Sequence, residues 1–161
     1  VDLAPHFLDD VHRCFEAVAS ATGLEPAATR LVDQWHAVFD RYRNRYAAEQ
    51  PRIAFLDWLD PPFVAGHWIP DMLHWLGAES VLGRSGAPSY QVSWDELDAA
   101  RPDLVIAACC GFDAGRAASE VPERLPTVCL DGHLQFSRPG PALMPSLREL
   151  SNAIARHLGH C

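Results

Sequence analysis

Lysine is absent from this 161-residue sequence: all 13 basic residues are arginine, set against 21 aspartates and glutamates. The bias reads as a compositional habit and carries no mechanism. The formal net charge of −8, with no basic patch interleaved with aromatics, argues against nucleic acid as a partner. Apolar runs long enough to span a bilayer are missing too. So are a G-x-G-x-x-G after a strand and a Walker A sequence, which excludes the common nucleotide sites, and a G-x-S-x-G elbow. The five cysteines, Cys14, Cys109, Cys110, Cys129 and Cys161, are odd in number and irregularly spaced, so no disulfide framework is expected. Cys109 and Cys110 are adjacent and do not easily pair. Cys129 sits in an apolar run and reads as a buried small hydrophobe. His67, His74, Cys110 and His133 lack the tight spacing of a zinc site, so no metal is expected. His6, His12, His36, His157 and His160 read as solvent-facing or terminal. The sequence begins Val-Asp-Leu, without an initiator Met or signal peptide, and is expected to be a processed product or a fragment.

What is present is ordinary for a globular domain, with 48% hydrophobic and 21% charged residues. Phe7, Leu8, Val11, Phe15 and Val18 recur at helical spacing and predict a helix over 6–22, stopped by Gly23. A longer helix is expected from about residue 25 to about 49, with Pro26 in its first turn and Leu31, Trp35, Val38, Phe39, Tyr42 and Tyr46 in one apolar stripe. After Pro51 strands and helices alternate. Strands are expected at 52–56, 103–108 and 127–130, with short extended pieces at 81–82 and 90–92. Helices are expected at 70–76, 93–100, 114–120 and 142–158. Ser93 and Glu96 form a capping box at one of them. The pattern predicts an α/β fold: a three-layer, Rossmann-like lobe with a mostly parallel sheet, preceded by a helix and a long connecting helix.

The segment from Phe55 to Pro70 is unusually aromatic. The tandem Pro61-Pro62 is expected to end the strand, leaving Trp58, Phe63, His67 and Trp68 in a loop. Such a loop either folds onto its own core or holds a flat apolar ligand, and the residues alone leave both readings open. In an open α/β sheet, ligands bind beyond the carboxyl ends of the strands. Three strand-end loops would bring Trp58, Phe63, His67, Trp68, Phe112, His133, Phe136 and Arg138 to one surface, an aromatic platform suited to a large planar ligand. Cys110 and His133 imitate a thiol–imidazole pair, although a cysteine beside a glycine at a strand end is more often packing.

Several motifs occur in order: Asp57-Trp58-Leu59-Asp60-Pro61-Pro62-Phe63, Gly66-His67-Trp68, Val92-Ser93-Trp94, Arg101-Pro102-Asp103, Cys110-Gly111-Phe112 and Phe136-Ser137-Arg138-Pro139-Gly140-Pro141. With them the chain resembles the cobalamin-binding substrate-binding proteins of ABC importers, in the class shared with haem and ferric-siderophore receptors. The resemblance implies two α/β lobes joined by a long helix, with the ligand between them. Residues 1–50 would be a helical segment including that helix, residues 51–161 the C-terminal lobe, and the N-terminal lobe would be absent. It implies ligand contact from Trp58, Phe63, Ser89, Tyr90 and the Phe136–Arg138 loop, and permease docking through Asp95 and Glu96. Acids there are also favoured by the helix N-terminus alone. It further implies an extracytoplasmic binding protein that is not an enzyme and needs no cofactor. Its partners would be a corrinoid, an ABC permease, and the missing lobe or a second copy on the exposed cleft face. Haem or a ferric siderophore is the alternative ligand: His67 or His133 would ligate iron, while an anionic siderophore would need Arg138 or Arg84. A small thiol- or metal-dependent enzyme using Cys110 and His133 is the remaining alternative.

Overall fold

In the computed structural model, which describes residues 3–111, 113–132 and 135–160, the chain opens with helices α1 (Leu8–Thr22) and α2 (Glu25–Tyr42). Gly23 closes α1 in the left-handed conformation, φ 71°, which a residue without Cβ adopts freely. Helix α2 stops at Tyr42, short of the expected 49. Beyond it Asn44 adopts φ 54°, and the backbone turns so that the Asn44 and Tyr46 N–H groups donate to the Trp75 and Leu76 carbonyls, both at 2.8 Å. Tertiary pairing wins over helical periodicity there. The Tyr46 ring, expected on the α2 stripe, is buried instead from this turn, its hydroxyl 2.6 Å from the Ser151 carbonyl.

Strand β1 (Arg52–Leu59) runs further than expected, because the chain folds back at Asp60-Pro61 into β2 (Pro62–Val64), antiparallel to β1. The prolines therefore do not end the sheet. Pro61 lies in the turn, joined to Asp60 by a cis bond, and Pro62 opens a strand, where proline is tolerated. Then come α3 (Ile69–Leu76), β3 (Glu79–Ser80), β4 (Tyr90–Gln91) and α4 (Trp94–Ala100). The expected extended piece at 81–82 lies instead at β3; Leu82 has φ 65°. The chain closes with β5 (Leu104–Ala107), α5 (Ala114–Glu120), β6 (Thr127–Cys129) and α6 (Leu143–His157). The Ser93–Glu96 capping box forms at α4: Ser93 Oγ accepts from Glu96 N at 3.1 Å, and Glu96 Oε2 accepts from Ser93 N at 2.7 Å.

The sheet order is β4-β2-β1-β5-β6, with β3 beside the first residues of β1. Strands β3, β5 and β6 pair in parallel; β2 and β4 form the antiparallel edge. Alternate residues of β1 serve two cores. Ile53 and Phe55 pack with Leu8, Trp35, Phe39, Met72 and Leu147, under α1, α2, α3 and α6. Ala54 and Leu56 pack with Leu97 and Ala117, under α4 and α5. The helices before residue 50 thus share a core with the lobe that follows. Among the described residues, no helix is long and apolar enough to cross a membrane.

Candidate functional site

Beyond the carboxyl ends of β1 and β5 the chain leaves a cavity of about 230 Å³. Its walls come from the end of β1 (Phe55, Asp57), the β2–α3 segment (Ala65 to Ile69), Ser89, Ala108, Cys110, Phe136 and Ser137. Strand pairing builds this edge: the Ala108 N–H donates to the Leu56 carbonyl at 3.0 Å and the Cys110 N–H to the Asp57 carbonyl at 3.1 Å. The β5 exit is therefore held against the β1 exit.

Asp57 is the acidic side chain of this lining. Its carboxylate accepts a short hydrogen bond from the Ser89 hydroxyl, and Ser89 Oγ accepts from the Gly66 N–H at 3.2 Å. Burial pushes the Asp57 carboxyl above its ordinary range; the Ser89 bond and the nearby His67 oppose this without cancelling it. A side chain at Gly66 would run into the Ala87 carbonyl oxygen, so glycine lets the two segments close together. Two backbone bonds fix that closure: His67 N–H to the Ala87 carbonyl at 2.7 Å and Gly86 N–H to the His67 carbonyl at 3.1 Å. His67 itself is at φ 50°.

Trp68 spans the cavity side and donates from Nε1 to the Phe136 carbonyl at 3.2 Å. Phe136 is buried, its ring edge-on to Phe55 with centroids 5.1 Å apart, and forms the floor. Among the described residues, the buried side-chain polar atoms without a hydrogen-bond partner are His67 Nδ1 and Gln135 Oε1. Both belong to the loops at this edge. Such atoms are rare in native interiors.

The structure brings His67, Trp68, Ser89 and Phe136 to this cavity, and leaves other expected contacts elsewhere. Trp58 does not join the same aromatic wall. It lines a separate depression with Trp94, Arg116 and Glu120, 39% exposed, its Nε1 donating to the Asp60 carbonyl at 3.0 Å. The β1–β2 pairing is irregular between Leu56 and Trp58, and on leaving it Asp57 and Trp58 line different cavities. Phe63 pairs with Trp58 across the β1–β2 hairpin. Tyr90 points its hydroxyl to the Leu82 carbonyl at 2.8 Å, with the Arg84 guanidinium 5.2 Å from its ring centroid. Arg138 is exposed. Phe112 and His133 lie outside the described residues, so the Cys110–His133 pair does too. Cys110 is exposed at the cavity. Its neighbour Cys109 is fully buried, and burial first, then the Asp57 charge, pushes that thiol up to about 12. A thiol held so high forms no nucleophilic thiolate near neutral pH. Asp95 and Glu96 are both exposed, but Glu96 is engaged by Ser93, which lowers its carboxyl below the ordinary range. Asp95 is left as the outward acid of that turn. Among the described residues, no group of three or more His, Cys, Asp or Glu is arranged to hold a metal ion.

Sequence reasoning missed the Asp57–Ser89 pair. Asp57 was visible as a carboxylate at a strand end, but its partner lies 32 positions away, and nothing local links them.

No curated protein matches the chain at a significant level. Solved structures do. An ABC transporter substrate-binding protein from Listeria monocytogenes superposes with TM-score 0.79 at 15% identity, over 94% of this chain and 66% of its own. The periplasmic vitamin B12 binding protein BtuF of Vibrio cholerae superposes with TM-score 0.73 at 15% identity, over 98% of this chain and 65% of its own. A periplasmic haem-binding protein from Pseudomonas aeruginosa gives 0.73 at 20% identity, over 93% and 61%. The chain thus spans somewhat less than two thirds of the length of these structures, and at such identities the likeness is one of fold. The family assignment comes from the sequence profile, which matches residues 1–127: the chain belongs to the periplasmic binding protein family.

Proposed function

We propose that this chain supplies one wall of the ligand cleft of an ABC importer's substrate-binding component, and that the ligand is a corrinoid such as cobalamin. The observation that carries the reading is the cavity at the carboxyl edge, where Trp68, His67 and the Phe55–Phe136 pair surround a single polar corner. That edge is where open α/β sheets bind ligands. An apolar wall with few placed polar groups suits a macrocycle carrying hydrogen-bonding arms. The Asp57-to-Phe63 and Phe136-to-Pro141 motifs favour cobalamin among the ligands of the superfamily, and BtuF offers a vitamin B12 binding protein of the same fold. On this reading the facing wall belongs to another lobe, the protein works outside the cytoplasmic membrane, and Asp95 is the acid that meets the permease. The chain binds and delivers its ligand and performs no chemistry on it.

Haem is the second reading: His67 lines the cavity, and an imidazole can serve as an axial ligand to haem iron. Titration with cyanocobalamin by calorimetry, with haemin followed by absorbance in parallel, separates the two. Saturable cyanocobalamin binding near one equivalent with no haemin response is the expected result. A Soret shift abolished by His67→Ala, with no cyanocobalamin binding, would overturn the corrinoid reading in favour of haem.

A further inference from the structure

A volume of about 230 Å³ takes a side arm of a macrocycle, not the ring, so the ring would lie across the mouth and an arm would enter. The polar groups inside then decide which arm is accepted. Three facts describe them. Asp57 is fixed by the Ser89 hydroxyl, which itself is held by the Gly66 N–H. His67 Nδ1 has no partner within the protein. Among the described residues, no arginine lines the cavity. A fixed carboxylate acceptor matches a primary amide arm, whose N–H donates to Asp57. A carboxylate arm offers only acceptors and brings a second negative charge toward Asp57, with no arginine among the described lining residues to offset it.

We propose that the Asp57–Ser89 pair makes this an amide-selecting pocket, accepting the uncharged amide arms of a corrinoid and rejecting arms that end in carboxylate. The identity of the macrocycle rests on the corrinoid reading above; the selection rule is the new element. Attraction to one arm and repulsion of its acid analogue together make specificity.

The test compares cyanocobalamin with its monocarboxylic acid derivatives, in which one side-chain amide is hydrolysed, on the full chain near neutral pH. Wild type is expected to bind at least one positional acid about tenfold or more weakly than cyanocobalamin. Asp57→Asn, nearly isosteric, is expected to bring that ratio within about twofold, and Asp57→Glu, which keeps the charge, to preserve most of it. Thermal unfolding of each variant confirms that it is folded. An unchanged ratio in Asp57→Asn overturns the pocket, as does a wild type that binds all the acids as well as cyanocobalamin; the second result decides the matter even if the variants fail to fold. Cyanocobalamin binding without discrimination sinks only the selection rule. Absence of cyanocobalamin binding sinks the corrinoid reading and this inference with it.

Discussion

Two cavities of this protein carry aromatic rings beside titratable groups, and they treat those groups in opposite ways. The first, about 400 Å³, lies among α1, α2 and α3 and is lined by Asp9, His12, Trp35, His36, Asp71, His74 and Trp75. Several of its polar groups are spent on the fold. Asp71 accepts from the Leu8 N–H at 2.8 Å and from the Ser85 hydroxyl, Trp75 Nε1 donates to the Phe39 carbonyl at 2.6 Å, and Arg43 lies 4.1 Å over the Trp75 ring. The second, at the carboxyl edge, is smaller and holds a half-buried acid raised above its ordinary range and a buried imidazole nitrogen with no partner. Size and aromaticity do not separate the two cavities. Unspent hydrogen-bonding capacity in the buried polar atoms does.

Mutations separate the two most sharply where the fold depends on them. Phe39→Ala, in the stacked Trp35–Phe39 pair with centroids 4.3 Å apart, is expected to cost about 3–5 kcal/mol in chemical denaturation while leaving the affinity of whatever folded protein remains. Gly66→Ala places a methyl against the Ala87 and Pro88 backbone; about 1–3 kcal/mol of destabilisation is expected, together with loss of cyanocobalamin binding in calorimetry. If Gly66→Ala weakened stability alone and left binding intact, the second cavity would be no more functional than the first. Trp68→Phe leaves the Phe136 carbonyl without its donor and should cost about 1 kcal/mol, with affinity reduced as well. The matching change at Trp75, Trp75→Phe, should cost a similar amount and leave affinity alone.

A smaller effect has the opposite sign. Asp57 is raised above its ordinary value of 3.8 in the folded state, so its ionised form costs stability. That cost is absent below the unfolded pKa, appears as pH rises toward the folded value, and is complete above it. Asp57→Asn removes it. The variant should melt above wild type at neutral pH, with a gap that closes as pH falls toward 4; a gap independent of pH would show that burial of the acid is not the cause. Smallest of all, Glu79→Gln breaks the Arg52–Glu79 contact at 2.7 Å, far from both cavities. Both side chains are exposed, and less than about 1 kcal/mol is expected.

Much of this fold was readable from residue patterns. The α2 stripe, the Gly23 stop and the Ser93–Glu96 box are local signals, and local signals need only neighbours in sequence. The errors arose where distant segments override a local preference. The turn after Tyr42 follows the backbone of α3, and the tandem prolines that argued for a loop sit at a hairpin turn and a strand start. The site was legible in outline, as aromatic strand-end loops, but not in its division. Trp58 and Trp68 looked equivalent; the β1–β2 hairpin puts one on each side. Phe136 lines the cavity and is also buried against Phe55, a support that sequence does not show. The acid of the proposed pocket, Asp57, is held by a serine brought in from the far side of the α3–β4 connection.

The fastening of α1 extends to the cavity. The Leu8 N–H at its start donates to Asp71, Asp71 also accepts from the Ser85 hydroxyl, and the Phe7 ring occupies the space over Gly86. Residues 84–89 are in turn bonded to Gly66 and His67. The start of the helical arm and the rim of the cavity are therefore joined by one continuous run of hydrogen bonds, from Leu8 through Asp71 and Ser85 to the strip that carries Ser89.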